Sequence, residues 1–226
     1  MTSYTLVRSQ RKTTAIYITR DAAIEVRAPL KRSKADIDRF VASKEQWIRS
    51  HLEKASARAA ARSAFTLDYG REITLFGQEY PIAAGNGRGV SFDGASVFVP
   101  HGLGSYDIMR AVIRLYRSVA EAKLNERAAY FAALVGVQPT AMKITGAKTR
   151  WGSCSGKNRI NFSWRLMMAD DDAIDYLLVH ELAHIKEHNH SPRFWAIVES
   201  ILPDYKARKK KLKLLQKKLA VENWGE

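Results

Sequence analysis

Cysteine is nearly missing from this chain: Cys154 is the only one in 226 residues, so no disulfide can close within it. That usage suits a reducing compartment. Cys154 itself reads as a small packing residue, with a thiol beside an active site as the alternative. Long apolar runs are lacking as well. Nowhere do about eighteen apolar residues stand together, and the opening stretch Met1 to Arg8 has no apolar signal core. Together these shortages predict a cytoplasmic protein without a membrane segment. Acidic residues are the third shortage, with 23 Asp and Glu against 37 Lys and Arg, a formal net charge of +14. Such an excess attracts polyanions.

The 46% of residues that are hydrophobic suffice for the core of one domain or two small ones. The most informative residues are His180-Glu181-Leu182-Ala183-His184, followed by His190. Ala173 to Val179 lead into them with apolar character and no helix breaker. On that helix the two histidines lie about 40° apart around the axis and about 6 Å along it, so both imidazoles can meet one metal ion. Glu181 sits about 100° round from His180, where it can reach a water without ligating the metal. It is the candidate general base.

A catalytic zinc takes three protein ligands and keeps one open position. His188 would lie about 12 Å along the axis from His180, too far to share an ion, and reads as a surface residue. His190 would also be out of reach on a continuous helix. However, Asn189 can close a helix in the left-handed conformation, Ser191 can cap a new one, and Pro192 suits its first turn. That reversal makes His190 the third expected ligand, ahead of Glu199 on the following helix.

The residues around this motif carry a resemblance. Lys148 to Ser155, Ile160 to Leu166, Tyr176 to His184 and Asn189 to Trp195 resemble the YgjP-like metallopeptidases, small zincins distantly similar to the SprT/Spartan and WLM groups. Weaker matches are Arg8 to Thr13, Trp47-Ile48, and Phe76-Gly77 before Tyr80. The resemblance implies a zinc-dependent hydrolase acting on peptides, with His180, His184 and His190 as ligands and Glu181 as catalytic acid/base.

Along the chain, alternation in Ala15 to Thr19 and Ala23 to Arg27, around Asp21, predicts a hairpin or small meander. Ser33 can cap a helix running through Ile37, Val41 and Ile48 to His51, towards an Ala/Arg-rich stretch at 55–64 that reads as an exposed helix or a linker. Strand-like pieces follow at 72–83 and 90–99, then a long helical pattern over 105–135, expected to pack behind the metal helix. His101 reads as a loop residue. Strands are expected at 141–146 and 159–165, flanking a turn at Trp151-Gly152-Ser153. The whole predicts an α+β fold: residues 1–102 mostly sheet with one helix, and residues 103–226 a zincin-like helical region with a small sheet and a basic last helix.

Substrate contacts are expected from Ile160, Asn161, Phe162 and Ser163 as an exposed edge strand that pairs with an extended peptide, with a core strand as the alternative. Arg150 reads either as a cation for an oxyanion or substrate carboxylate, or as a scaffold residue buried against an acid, the latter slightly favoured. Trp151, Trp164 and Trp195 read as core aromatics. In the last helix, Leu212, Leu215 and Leu219 form the packing face, and the basic remainder reads either as a solvated helix face or as a surface for nucleic acid or another acidic partner. Three function classes remain open at this point: a zinc peptidase, a metal-dependent nucleotide phosphoanhydride hydrolase, and a nucleic-acid-binding module with a structural zinc.

Overall fold

The computed structural model describes residues 2–225, which separate into two compact units. The first runs to Phe65 and adds Ala220–Asn223; the second is Thr66–Leu219 with Trp224 onward. The boundary expected at 102/103 falls inside the second unit.

In the first unit, β1 (Thr5–Ser9), β2 (Ala15–Ile18) and β3 (Ile24–Pro29) form a sheet in the order β1-β3-β2. The β2–β3 hairpin is the expected one. A meander is not formed, because β1 pairs parallel with β3. Period-two alternation turns Ile24, Val26 and Ala28 inward, where Ile37, Val41 and Ile48 complete the core. Those last three come from two helices rather than one, α1 (Lys34–Ala42) and α2 (Glu45–Ala64). Ser33 caps α1 as expected, accepting from the Asp36 amide. At the break, the Ser43 hydroxyl donates to the Phe40 carbonyl at 2.7 Å, a local bond that competes with continued helix. The stretch 55–64 belongs to α2, whose one buried residue is Ile48.

The second unit opens with four strands, β4 (Glu72–Leu75), β5 (Gln78–Gly85), β6 (Ser91–Phe92) and β7 (Val97–Pro100), in the order β4-β5-β7-β6. Phe76 and Gly77, both at positive φ, make the tight turn between β4 and β5. The Phe76 amide donates to the Met167 carbonyl at 2.7 Å, which ties this sheet to the helical part of the unit. Next, α3 (Ser105–Val135) covers the expected 105–135 and ends at Gly136 in the left-handed conformation. Its buried stripe runs through Ile108, Val112, Leu115, Leu124 and Phe131.

A second sheet follows, with β8 (Ala141–Thr145), β9 (Gly152–Cys154) and β10 (Arg159–Ser163) in the order β8-β10-β9. A one-turn 3-10 helix, Trp164–Met168, leads from β10 into α4 (Asp171–Lys186), and α5 (Pro192–Ile201) and α6 (Tyr205–Leu219) complete the unit. Helix α3 packs along α4, as expected. The pair is pinned by Arg127, which holds both carboxylate oxygens of Asp175 at 2.9 and 2.5 Å, and by Lys123 on Asp171 at 2.7 Å.

Candidate metal centre

The apolar residues of α4 set the rotation of the metal motif. Leu177, Leu178, Val179, Leu182 and Ala183 are buried, so His180 and His184 are left half-buried on the remaining stripe. The helix ends earlier than expected, at Lys186, with Glu187 in extended conformation. Asn189 is not left-handed. Its Oδ1 instead accepts from the Ser191 amide at 3.1 Å, forming a side-chain-closed turn. Ser191 then caps α5, accepting from the Phe194 amide at 3.3 Å, with Pro192 in the first turn.

This reversal brings His190 back onto α4. One ring nitrogen from each of His180, His184 and His190 lies within 4.8 Å of the others, and Nε2 of His180 and Nε2 of His190 are 3.1 Å apart. Tetrahedral zinc with bonds of about 2.05 Å sets ligand nitrogens roughly 3.3 Å apart. The His180–His190 distance is close to that value. Glu199 and His188 are exposed and outside the group, and His101 bonds to Asn86 Oδ1 at 3.0 Å in its loop.

The outer nitrogens are committed in a way that frees the inner ones. His184 Nδ1 donates to the Glu187 carbonyl at 3.1 Å, and His180 Nδ1 faces the Tyr176 hydroxyl at 3.4 Å. Burial lowers the pKa of His180 to about 3, helped by the neighbouring His184, His190 and Lys209 charges, and burial also lowers that of His184. Both rings are thus held neutral, the form that ligates metal. Tyr176 has its pKa pushed up to about 12 by burial and by the charges of Glu181 and Tyr205, so its phenol keeps its proton. Tyr176 is a site residue that the motif by itself does not mark. Its place four residues before His180, on the same helix face, was the available signal. Trp195, expected in the core, is half-buried and stacks on His190 at 5.6 Å between centroids.

Glu181, the next residue along α4 from His180, is 5% exposed, and burial raises its pKa to about 7 against an opposing pull from Arg150. It packs against Gly152 so closely that a Cβ there would lie 2.7 Å from Glu181 Oε1. Nothing in the local sequence of Gly152 marks this contact. Gly152→Ala should therefore displace the carboxylate, and we expect it to cut turnover at least about tenfold while metal content and thermal stability stay near wild type. Parallel metal analysis and rate measurement check this.

Ile160 to Ser163 are not an edge. They form β10, the middle strand, bonded to β8 on one side and β9 on the other. Ile160 and Phe162 turn into the core at 2% and 0% exposure, while Asn161 and Ser163 face the opposite side. The edge beside the metal group is β9. Ser163 donates to the Trp151 carbonyl at 2.8 Å, so by antiparallel alternation the main-chain groups of Gly152 and Cys154 point away from β10. Cys154 is half-buried there, and burial raises its thiol pKa. Arg150 is exposed and has no hydrogen bond or ion pair with the described residues, which removes the scaffold reading. It lines a pocket of about 230 Å³ with Trp151, Gly152, Ser153, Asn161 and Ser163.

A family model for the YgjP-like metallopeptidase domain matches residues 12–214, nearly the whole chain. The chain belongs to the YgjP-like metallopeptidase family. The matched span takes in parts of both compact units, and the group of three histidines with Glu181 lies inside it. Among solved structures, the metallopeptidase zymogen abylysin of Pyrococcus abyssi is similar at 24% identity, over 42% of this chain and 93% of that chain, with a TM-score of 0.37. The metallopeptidase zymogen jannalysin of Methanocaldococcus jannaschii is similar at 20% identity, over 42% and 95%, with a TM-score of 0.36. Comparison with curated proteins returns no match. As a YgjP-like metallopeptidase the protein works with a metal ion, for which the three histidines are the candidate ligands.

Proposed function

We propose that this YgjP-like protein is a zinc-dependent peptidase in which His180, His184 and His190 hold the metal and Glu181 is the general base. The observation that carries the reading is the convergence of three imidazoles near one buried carboxylate on the same helix. Zinc, when bound, acidifies a water and polarises the scissile carbonyl. Glu181 accepts a proton from the attacking water and delivers it to the leaving amine. Gly152 leaves room for that carboxylate. The outward main-chain groups of Gly152 and Cys154 on β9 hold an extended peptide by strand addition, alongside Glu181.

The histidine group has three members among the described residues, which leaves a coordination position for water and favours a catalytic over a structural metal. All-imidazole ligation favours zinc over magnesium, and so favours peptide hydrolysis over phosphoanhydride hydrolysis. His190→Ala should bind less than a tenth of the wild-type zinc and lose turnover, with the circular dichroism of the fold unchanged. Full zinc occupancy in that variant would remove His190 from the ligand set.

A polyanion surface is also proposed, on a separate observation. Several cations of α6 are neutralised locally: Lys211 by Asp170 and Asp172, Arg208 by Asp204, Lys218 by Glu79. Lys206, Lys209, Lys210, Lys213 and Lys217 are exposed without a carboxylate partner among the described residues. At about 100° per residue they share one stripe, about 16 Å long. Lys209 lies over the Trp195 ring at 4.6 Å, so the stripe passes close to the histidine group. Its chemistry fits a nucleic-acid backbone in an intracellular setting. Replacing Lys210, Lys213 and Lys217 by Gln should weaken oligonucleotide binding at least about tenfold and flatten its salt dependence; an unchanged salt slope would remove the surface.

A further inference from the structure

Strand β10 sends alternate side chains to opposite sides, and the side away from the core is polar. Asn161 and Ser163 stand there with Arg150, Trp151 and Ser153 around a pocket of about 230 Å³. That is far more than the ~30 Å³ of a single water, so a side chain can enter. The pocket adjoins the catalytic carboxylate through its wall, because Gly152 lines it and packs directly on Glu181.

Some of its polar groups are already committed. The Ser163 hydroxyl donates to the Ala147 carbonyl at 2.8 Å, and the Thr145 hydroxyl donates to the Phe162 carbonyl at 3.2 Å. Others are not. Asn161 Nδ2 donates one hydrogen to Ser153 Oγ at 3.4 Å, which leaves its second hydrogen and the Ser153 hydroxyl hydrogen to be donated elsewhere. Arg150 has all its donors free of the described residues. The pocket therefore offers hydrogen-bond donors from three side chains, one of them a planar cation whose fork matches a carboxylate.

We propose that Arg150, Ser153 and Asn161 form a subsite for a substrate carboxylate, next to the scissile position. It rests on the peptidase reading only in taking that carboxylate to belong to a peptide. Two sources share the chemistry, an acidic side chain and a free C-terminus. The first makes Arg150 a selector for Asp or Glu near the cut, and the second makes the enzyme trim chain ends.

The test is a titration of the zinc-loaded full chain, followed by NMR shifts of the Trp151, Gly152 and Ser153 amides. The probes are N-acetylglutamate α-amide, N-acetylglutamine and N-acetylglutamine α-amide, which carry a side-chain carboxylate, a terminal one and neither. At least one carboxylate probe should bind about tenfold more tightly than the neutral one, and Arg150→Gln should abolish the difference. Whichever carboxylate responds identifies the source. Equal responses to all three probes, or a difference that survives in Arg150→Gln, would overturn the subsite. Peptide turnover without a carboxylate response would leave the peptidase reading standing, whereas a carboxylate response without turnover would leave only the subsite.

Discussion

Glu181→Gln is expected to retain one zinc per chain and lose turnover by about a thousandfold, within the range that a positioned general base contributes. The change is nearly isosteric and removes the proton acceptor without emptying the space under Gly152, where the wild-type carboxylate packs. Burial makes the substitution mild for the fold. At 5% exposure an ionised carboxylate costs more desolvation free energy than an amide does, so the variant should be at least as stable as the parent. Stability and zinc content thus stay level or rise while the rate collapses, a combination that misfolding cannot mimic. A variant that binds zinc and cleaves at the parental rate would remove Glu181 from the chemistry.

Trp164→Ala should cost the second unit about 3–5 kcal/mol, the usual toll for deleting a buried large aromatic. Trp164 is fully buried, stacks on Tyr116 at 5.3 Å and meets Trp224 edge-on at 5.5 Å between centroids. Tyr116 in turn donates to the Thr74 carbonyl at 2.6 Å, so one aromatic cluster joins α3, β4 and the turn that launches α4. The loss is read from urea unfolding with a chelator present, so that metal binding does not contribute to the difference. Trp195→Ala is the internal contrast. That ring is half-buried against His190, and its removal should change stability by less than about 1.5 kcal/mol. Equal losses at the two positions would contradict the division into core and site.

The histidine group was legible because its determinants are local. Helix periodicity aligned His180 with His184, and the Asn189-His190-Ser191-Pro192 run announced a reversal, even though Asn189 achieves it with its side chain rather than its backbone. The bounds of α3 were legible for the same reason. Strand order was not. Strand β9 is three residues long, Gly-Ser-Cys, with no alternation to read, so nothing local says that it takes the sheet edge and leaves Ile160 to Ser163 in the middle. Parallel pairing of β1 with β3 joins residues about twenty apart and leaves no mark in either strand. Arg150 shows the same limit at the site. Whether a cation is buried against an acid or left free in a pocket depends on what the fold brings to it.

The most direct measurement is peptide turnover of the metal-free protein as zinc is added back in steps, with bound zinc counted at each step and a proteome-derived peptide pool as substrate. Turnover should rise in proportion to occupancy, saturate at one zinc per chain, and vanish again with chelator. Full zinc occupancy with no peptide cleaved, or cleavage at full rate by the metal-free chain, would contradict the account.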